Sequence, residues 1–211
     1  MTKGLFITVE GTDGSGKTTQ IALLEQYLNS KGFGVVLTRE PGGTSISERI
    51  REIILDPRNT EMGHIPEMLL YASSRAQHVF EVIKPAVAAG KIVICDRFVD
   101  SSYVYQGFGR GIDLSIVEEV NRIAMDGSFP DVTFFFDLSP EIALGRRIKA
   151  TGADRIENEK MEFHMKVYEG YKKLALRYPE RIKSIDSNRS VEEIFKDVKT
   201  HVDKLIKGKT F

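Results

Sequence analysis

Five short stretches of this chain are apolar almost from end to end, without the alternation expected of a sheet with one face in water. They are LFITV (residues 5–9), VVLT (35–38), IVIC (92–95), VTFFFDL (132–138) and, more weakly, IKSI (182–185). A strand can be apolar throughout only if both faces are covered, the condition of a parallel sheet sandwiched between helices. The segments between them have helical period. Ile21, Leu24 and Leu28 share one face, and Lys31 with Gly32 supplies the cation and glycine that suit a helix C-terminus. Ser139 and Pro140 read as an N-cap and first helical position, and Ser190 with Glu193 as a capping box leading into Ile194, Val198 and Leu205. The expected class is α/β, a five-stranded parallel sheet flanked by helices in three layers.

Charge narrows the function. The 211 residues carry 30 Lys+Arg and 30 Asp+Glu, so no basic excess is available to coat nucleic acid or an anionic membrane. No apolar run approaches the roughly 20 residues of a membrane helix, and the single cysteine, Cys95, lies in an apolar run and has no partner for an intramolecular disulfide. A buried thiol and a reducing, cytoplasmic location are the expectation. His64, His78, His164 and His201 are scattered without ligand spacing, so no transition-metal site is expected. Without repeats or a long linker, residues 1–211 read as one domain, in which residues 145–160 (GRRIKATGADRIENEK) stand out as polar and charged.

The strongest motif is GTDGSGKT, residues 11–18, between the first apolar run and the first helix. It satisfies GxxxxGK[ST], the phosphate-binding P-loop. Gly11, Gly14 and Gly16 let the backbone turn tightly, and with Thr12, Asp13 and Ser15 they aim N–H groups inward. Lys17 supplies a point charge for the β- and γ-phosphates, Thr18 a hydroxyl for Mg²⁺, and the helix its positive end. A nucleoside triphosphate is the expected ligand. A guanine-reading NKxD is absent, and the only DxxG lies inside the loop itself, which excludes a GTPase switch. A motor more often ends a strand in paired acids, whereas here Asp96 is followed by Arg97, a pair suited to holding both Mg²⁺ and a second anion.

Cations for that second anion recur where strands end, the edge at which open parallel sheets bind ligands. They lie in TREPGGT (38–44), at Arg51, at Arg75 in LLYASSRAQ, and at Arg97. Together with DRF (96–98), SSYVYQGFGRG (101–111), FPDVTFFFDLSPE (129–141) and DRIE (154–157), these segments make the chain resemble the thymidylate kinases, in their bacterial form, over most of its length. The resemblance implies a nucleoside monophosphate kinase-like P-loop fold with a short mobile lid at about residues 145–160. It implies phosphorylation of dTMP by ATP with Mg²⁺, in dTTP biosynthesis, and a homodimer, for which the helix around residues 68–79 is the expected contact. The rival readings are another nucleotide or deoxynucleoside kinase on the same scaffold, and a regulatory module that holds ATP without transferring phosphate.

Roles follow from the same resemblance. Asp13 is expected to accept from the acceptor's 3′-hydroxyl, and Arg75 and Arg97, helped by Arg51, to hold its phosphate and base edge. Tyr71 is expected to stack on thymine, Ser102 and Gln106 to meet the base's polar edge, and Tyr105 to fill the space of a ribose 2′-hydroxyl. Asp96 joins Thr18 as a metal residue. Because Gly14 leaves the loop without a basic residue, the lid is expected to supply the cation for the moving phosphoryl. Arg146, Arg147, Lys149 and Arg155 are available, Arg146 and Arg155 align best, and Ala150 and Thr151 stand where another arginine is frequent. The expected catalytic set is Lys17, Arg97, Arg146 and Arg155. No general base is required, since a phosphate acceptor with a second pKa of about 6 is largely a dianion at neutral pH.

Overall fold

The structure, a computed structural model, describes residues 3–147 and 154–207. Its strands β1 (Leu5–Glu10), β2 (Val35–Arg39), β3 (Ile92–Asp96), β4 (Val132–Asp137) and β5 (Ile182–Asp186) form one parallel sheet in the order β2-β3-β1-β4-β5. The α-helices are α1 (Lys17–Ser30), α2 (Ser45–Leu55), α3 (His64–His78), α4 (Lys84–Ala88), α5 (Val99–Ser102), α6 (Leu114–Met125), α7 (Pro140–Arg147), α8 (Met161–Arg177) and α9 (Val191–Ile206). Two π-helical segments, Val79–Ile83 and Tyr103–Gly109, continue α3 and α5.

The unalternated apolar runs are explained by cover on both sides. Leu5, Ile7 and Val9 face Leu24 and Leu28 of α1 and Ile194, Val198 and Val202 of α9. Phe6, Val93 and Cys95 face the other way, onto Val79, Ile83 and Val87. Phe135 packs on Val167, Tyr171 and Leu174 of α8, with its ring stacked 5.0 Å from that of Tyr171. The result is three layers, as expected. Cys95 is fully buried, and burial pushes its thiol well above the ordinary range. The run on β2 is the departure: as an edge strand it is only half covered, and Leu37 is 41% exposed.

Local punctuation agrees with the sequence. Lys31 N–H returns to Leu28 O at 3.0 Å beyond α1, Gly32 follows with φ of 86°, and both halves of the Ser190–Glu193 capping box are formed. In the segment around residues 68–79, Met68 and Val79 are buried. The outward side of α3 exposes Ile65, Leu69 and, just beyond, Phe80.

Register sets the functional edge. Val9 lies opposite Asp96, so the loops after β1 and β3, carrying the P-loop and Arg97, leave neighbouring central strands side by side.

Candidate active site

The loops converge on a cavity of about 450 Å³ at the carboxyl ends of the strands. Its wall includes Asp13, Lys17 and Thr18 from the P-loop, Arg51, Tyr71 and Arg75 from α2 and α3, Asp96 at the end of β3, and Arg97, Ser102, Tyr105 and Gln106 after it. Thus every residue expected on the acceptor side lies in one wall.

The P-loop is folded as a cradle. Gly14, at φ of 88°, has no room for a side chain, since a Cβ there would stand 2.0 Å from Ala143 O of α7. A loop cation is therefore excluded at this position by packing, which leaves that charge to other segments. The buried Lys17 ammonium donates to Gly11 O and Thr12 O, each at 3.1 Å, and lies 3.5 Å from Asp13 Oδ1. Burial, and then the Arg97 charge, push it below its ordinary range. Among the described residues, Thr12 Oγ1 and Ser15 Oγ are buried without a hydrogen-bond partner, as is Asp96 Oδ1. Buried polar atoms are normally satisfied, so orphans gathered at a phosphate cradle fit a site built for polyanion and metal.

Arg97 has a backbone φ of 67°, in the left-handed region that a non-glycine residue occupies at a cost of about 1–3 kcal/mol. What holds it there is Glu10, the last residue of β1. Glu10 Oε1 accepts from Phe98 N–H at 2.8 Å and Ser101 N–H at 3.2 Å, while Oε2 accepts from the hydroxyls of Ser101 and Tyr171, each at 2.7 Å. The Arg97 guanidinium consequently reaches Asp13 Oδ1 at 3.0 Å and lies 5.4 Å from the centre of the Tyr105 ring. Burial, then the charge of Asp100, pushes the Glu10 carboxyl up to about 7.

Arg75 is placed differently from Arg97. It is 1% exposed, and Nε donates to Glu40 Oε2 at 2.8 Å. One terminal nitrogen donates to Ser102 Oγ at 2.8 Å and to Asn121, and the other to Phe98 O at 3.0 Å. A buried cation must be paired in this way. Its nitrogens are engaged within the protein, and it stands in the cavity wall beside Ser102. Arg51, whose guanidinium donates to Pro41 O at 2.9 Å, and Arg39, which donates to the same oxygen at 3.0 Å, stand in the wall as further cations.

A thymidylate kinase family model matches residues 9–198. The chain belongs to the thymidylate kinase family. Curated thymidylate kinases are similar over nearly their whole length. That of Geobacillus sp. (strain WCH70) is 52% identical, covering 92% of this chain and 93% of that one. That of Caldanaerobacter subterraneus subsp. tengcongensis is 50% identical, covering 98% of each. The crystal structure of thymidylate kinase from Ehrlichia chaffeensis superposes with a TM-score of 0.78 at 35% identity, covering 95% of this chain and 99% of that chain. The protein is accordingly a phosphotransferase that phosphorylates dTMP.

Of the cations expected at the lid, Arg155 is outside the cavity wall: Nε donates to Ile54 O at 2.7 Å and Nη2 to Glu67 Oε2 at 2.6 Å, so a buried carboxylate draws it to α3. Arg146 lies in α7, but its side chain, like that of Arg147, is outside what the structure describes, and Lys149, Ala150 and Thr151 lie outside the described residues. Sequence reasoning also missed Glu10, Glu40 and Tyr171. The position of Glu10, immediately before the P-loop, and that of Glu40, inside TREPGGT, could have drawn attention to them.

Proposed function

We propose that the enzyme transfers the γ-phosphoryl group of ATP in line to dTMP, with Mg²⁺, as one kinase domain whose lid spans about residues 145–160. The observation that carries the reading is the meeting of Lys17 and Arg97 at one atom, Asp13 Oδ1, 3.5 and 3.0 Å away. A donor cradle and an acceptor arginine share that carboxylate, so two anions can be brought side by side there. The P-loop backbone and Lys17 hold the donor phosphates. Arg97 and Arg75, helped by Arg51, hold the acceptor phosphate and base edge, and Asp13 accepts from the 3′-hydroxyl. Tyr71 stacks on the base, Ser102 and Gln106 meet its polar edge, and Tyr105 closes the space of a 2′-hydroxyl.

Thr18 and Asp96 are the residues that would hold Mg²⁺, which when bound neutralises charge on the transferring phosphates. The remaining work of the chain is positioning and electrostatics, with no proton to remove from the nucleophile. The lid supplies the cation for the moving phosphoryl, Arg146 or Lys149. Lid closure excludes water, which otherwise competes as acceptor.

The same reading makes the enzyme a homodimer, through the side of α3 that exposes Ile65 and Leu69 at 47% each, with Phe80 at 75%; such a stripe favours a partner over water. It also places the enzyme in the cytoplasm; no described helix is long and apolar enough to cross a membrane. A coupled ADP-release assay with dTMP, dUMP, dCMP, dGMP, UMP, AMP and thymidine tests the reading. A clear preference for dTMP is expected, whereas ADP release with none of them would assign a regulatory nucleotide-binding module.

A further inference from the structure

Glu67 is a buried carboxylate to which the transfer chemistry gives no part. It lies on α3 one turn before Tyr71 and two before Arg75, behind the cavity wall and 1% exposed. Its Oε1 accepts from Gln106 Nε2 at 3.0 Å and Arg110 Nε at 3.1 Å. Its Oε2 accepts from Arg110 at 3.0 Å and Arg155 at 2.6 Å. Burial opposes its charge, but the hydrogen bonds and charge of Arg110, aided by Gln106 and Arg155, hold the carboxyl below its ordinary range. It is therefore ionised at neutral pH and can only accept.

That fixes the polarity of its neighbour. A primary amide facing an obligate acceptor must turn its nitrogen toward it, and the planar group then sends its oxygen the other way. Gln106 forms part of the cavity wall, and its Oε1 is not among the polar atoms that burial leaves without a partner. Among the described residues no donor to Oε1 is recorded beside the Nε2 bond to Glu67. A carbonyl oxygen is what Gln106 offers a ligand.

We propose that Glu67 is a specificity-determining positioning residue: by locking Gln106 with its oxygen toward the cavity, it selects an acceptor base whose facing ring nitrogen carries a hydrogen. The N3–H of thymine or uracil meets this oxygen as a donor. Cytosine presents an acceptor at N3, which sets two acceptors against each other and leaves both unpaired, the arrangement that rejects a ligand most strongly. The proposal rests on the reading of this cavity as the site of the dTMP base.

The test uses the full chain with dTMP and 5-methyl-dCMP, which share the methyl group and differ at the N3 and C4 edge. Glu67→Gln can either donate or accept, so it frees the Gln106 amide to turn. The dTMP to 5-methyl-dCMP ratio of kcat/KM should fall by about tenfold, through KM, with the KM for ATP unchanged. Glu67→Asp remains an obligate acceptor and should keep the ratio even where turnover drops. Loss of both substrates alike in Glu67→Gln, with the ratio intact, makes Glu67 merely structural and overturns the proposal. If the unsubstituted enzyme itself accepts both substrates equally, the base-site reading fails instead. Should Glu67→Gln not fold, the unsubstituted protein decides. Its Gln106 side-chain amide protons, identified by their loss in Gln106→Met, should stay slow to exchange and keep their chemical shifts when dTMP is added. A large shift would mean that the nitrogen, not the oxygen, meets the base.

Discussion

Glu10→Gln isolates one buried carboxyl whose protonation is written into the fold. The ordinary value of 4.5 rises to about 7 because the group is buried and Asp100 lies near it. An acid whose folded value is raised stabilises the fold fully below its unfolded pKa, and that contribution is lost as pH climbs through the folded one. Stability should thus decline between about pH 4.5 and 7 on account of Glu10. With these two values the linkage relation gives a cost of about 1 kcal/mol at pH 5 and about 3 kcal/mol at pH 8, a difference on the order of 2 kcal/mol. Glutamine imitates the protonated form. Its oxygen can still accept from Phe98 and Ser101 N–H, and its amide nitrogen would face the Ser101 and Tyr171 hydroxyls, which can turn to accept. Urea unfolding at pH 5, 6, 7 and 8, at fixed ionic strength, should therefore show Glu10→Gln gaining on the order of 2 kcal/mol on the unsubstituted protein from end to end, with equal m-values. Parallel stability curves, with a constant offset, would refute the argument and mean that Glu10 is ionised throughout the range.

Arg97→Ala should lower turnover with dTMP by at least about a hundredfold, the scale of losing one preorganised charge-stabilising group, while calorimetry shows ATP binding nearly intact; equal loss of both would make Arg97 structural. Asp96→Asn should raise the Mg²⁺ concentration for half-maximal activity by about tenfold or more, with little change in the melting temperature of the metal-free protein. An unaltered Mg²⁺ response would remove Asp96 from the metal site. Arg75→Met leaves Glu40 buried without its cation and should cost about 3–5 kcal/mol in urea unfolding; a loss below about 1 kcal/mol would show that Glu40 is not dependent on it.

Strand positions and caps were legible because their causes are local: an apolar run, a glycine at the right offset, a Ser three residues before a Glu. The P-loop was legible for the same reason. The partners of Arg75 and Arg155 were not, although both stand in recognisable motifs. Arg75 is saturated by Glu40, 35 residues away, and Arg155 is held by Glu67, 88 residues away. The carboxylate that shapes the Arg97 turn accepts from Tyr171 across 161 residues. A motif states which side chain is present, but how many of its donors remain for a ligand depends on acceptors brought near by the crossing of distant elements. For guanidinium groups that count decides the role, since a buried cation must find its partners inside the protein before it can offer anything to a phosphate. Arg97 and Arg75 differ in degree within one cavity wall. Arg97 meets Asp13 at a junction with Lys17 and, at 3.5 and 3.4 Å, the Ser101 and Tyr171 hydroxyls, whereas Arg75 meets a carboxylate, two side-chain oxygens and a carbonyl, each at 3.0 Å or closer. The same count makes Glu67 more informative than any arginine around it: an acceptor surrounded only by donors dictates which way each of them must turn.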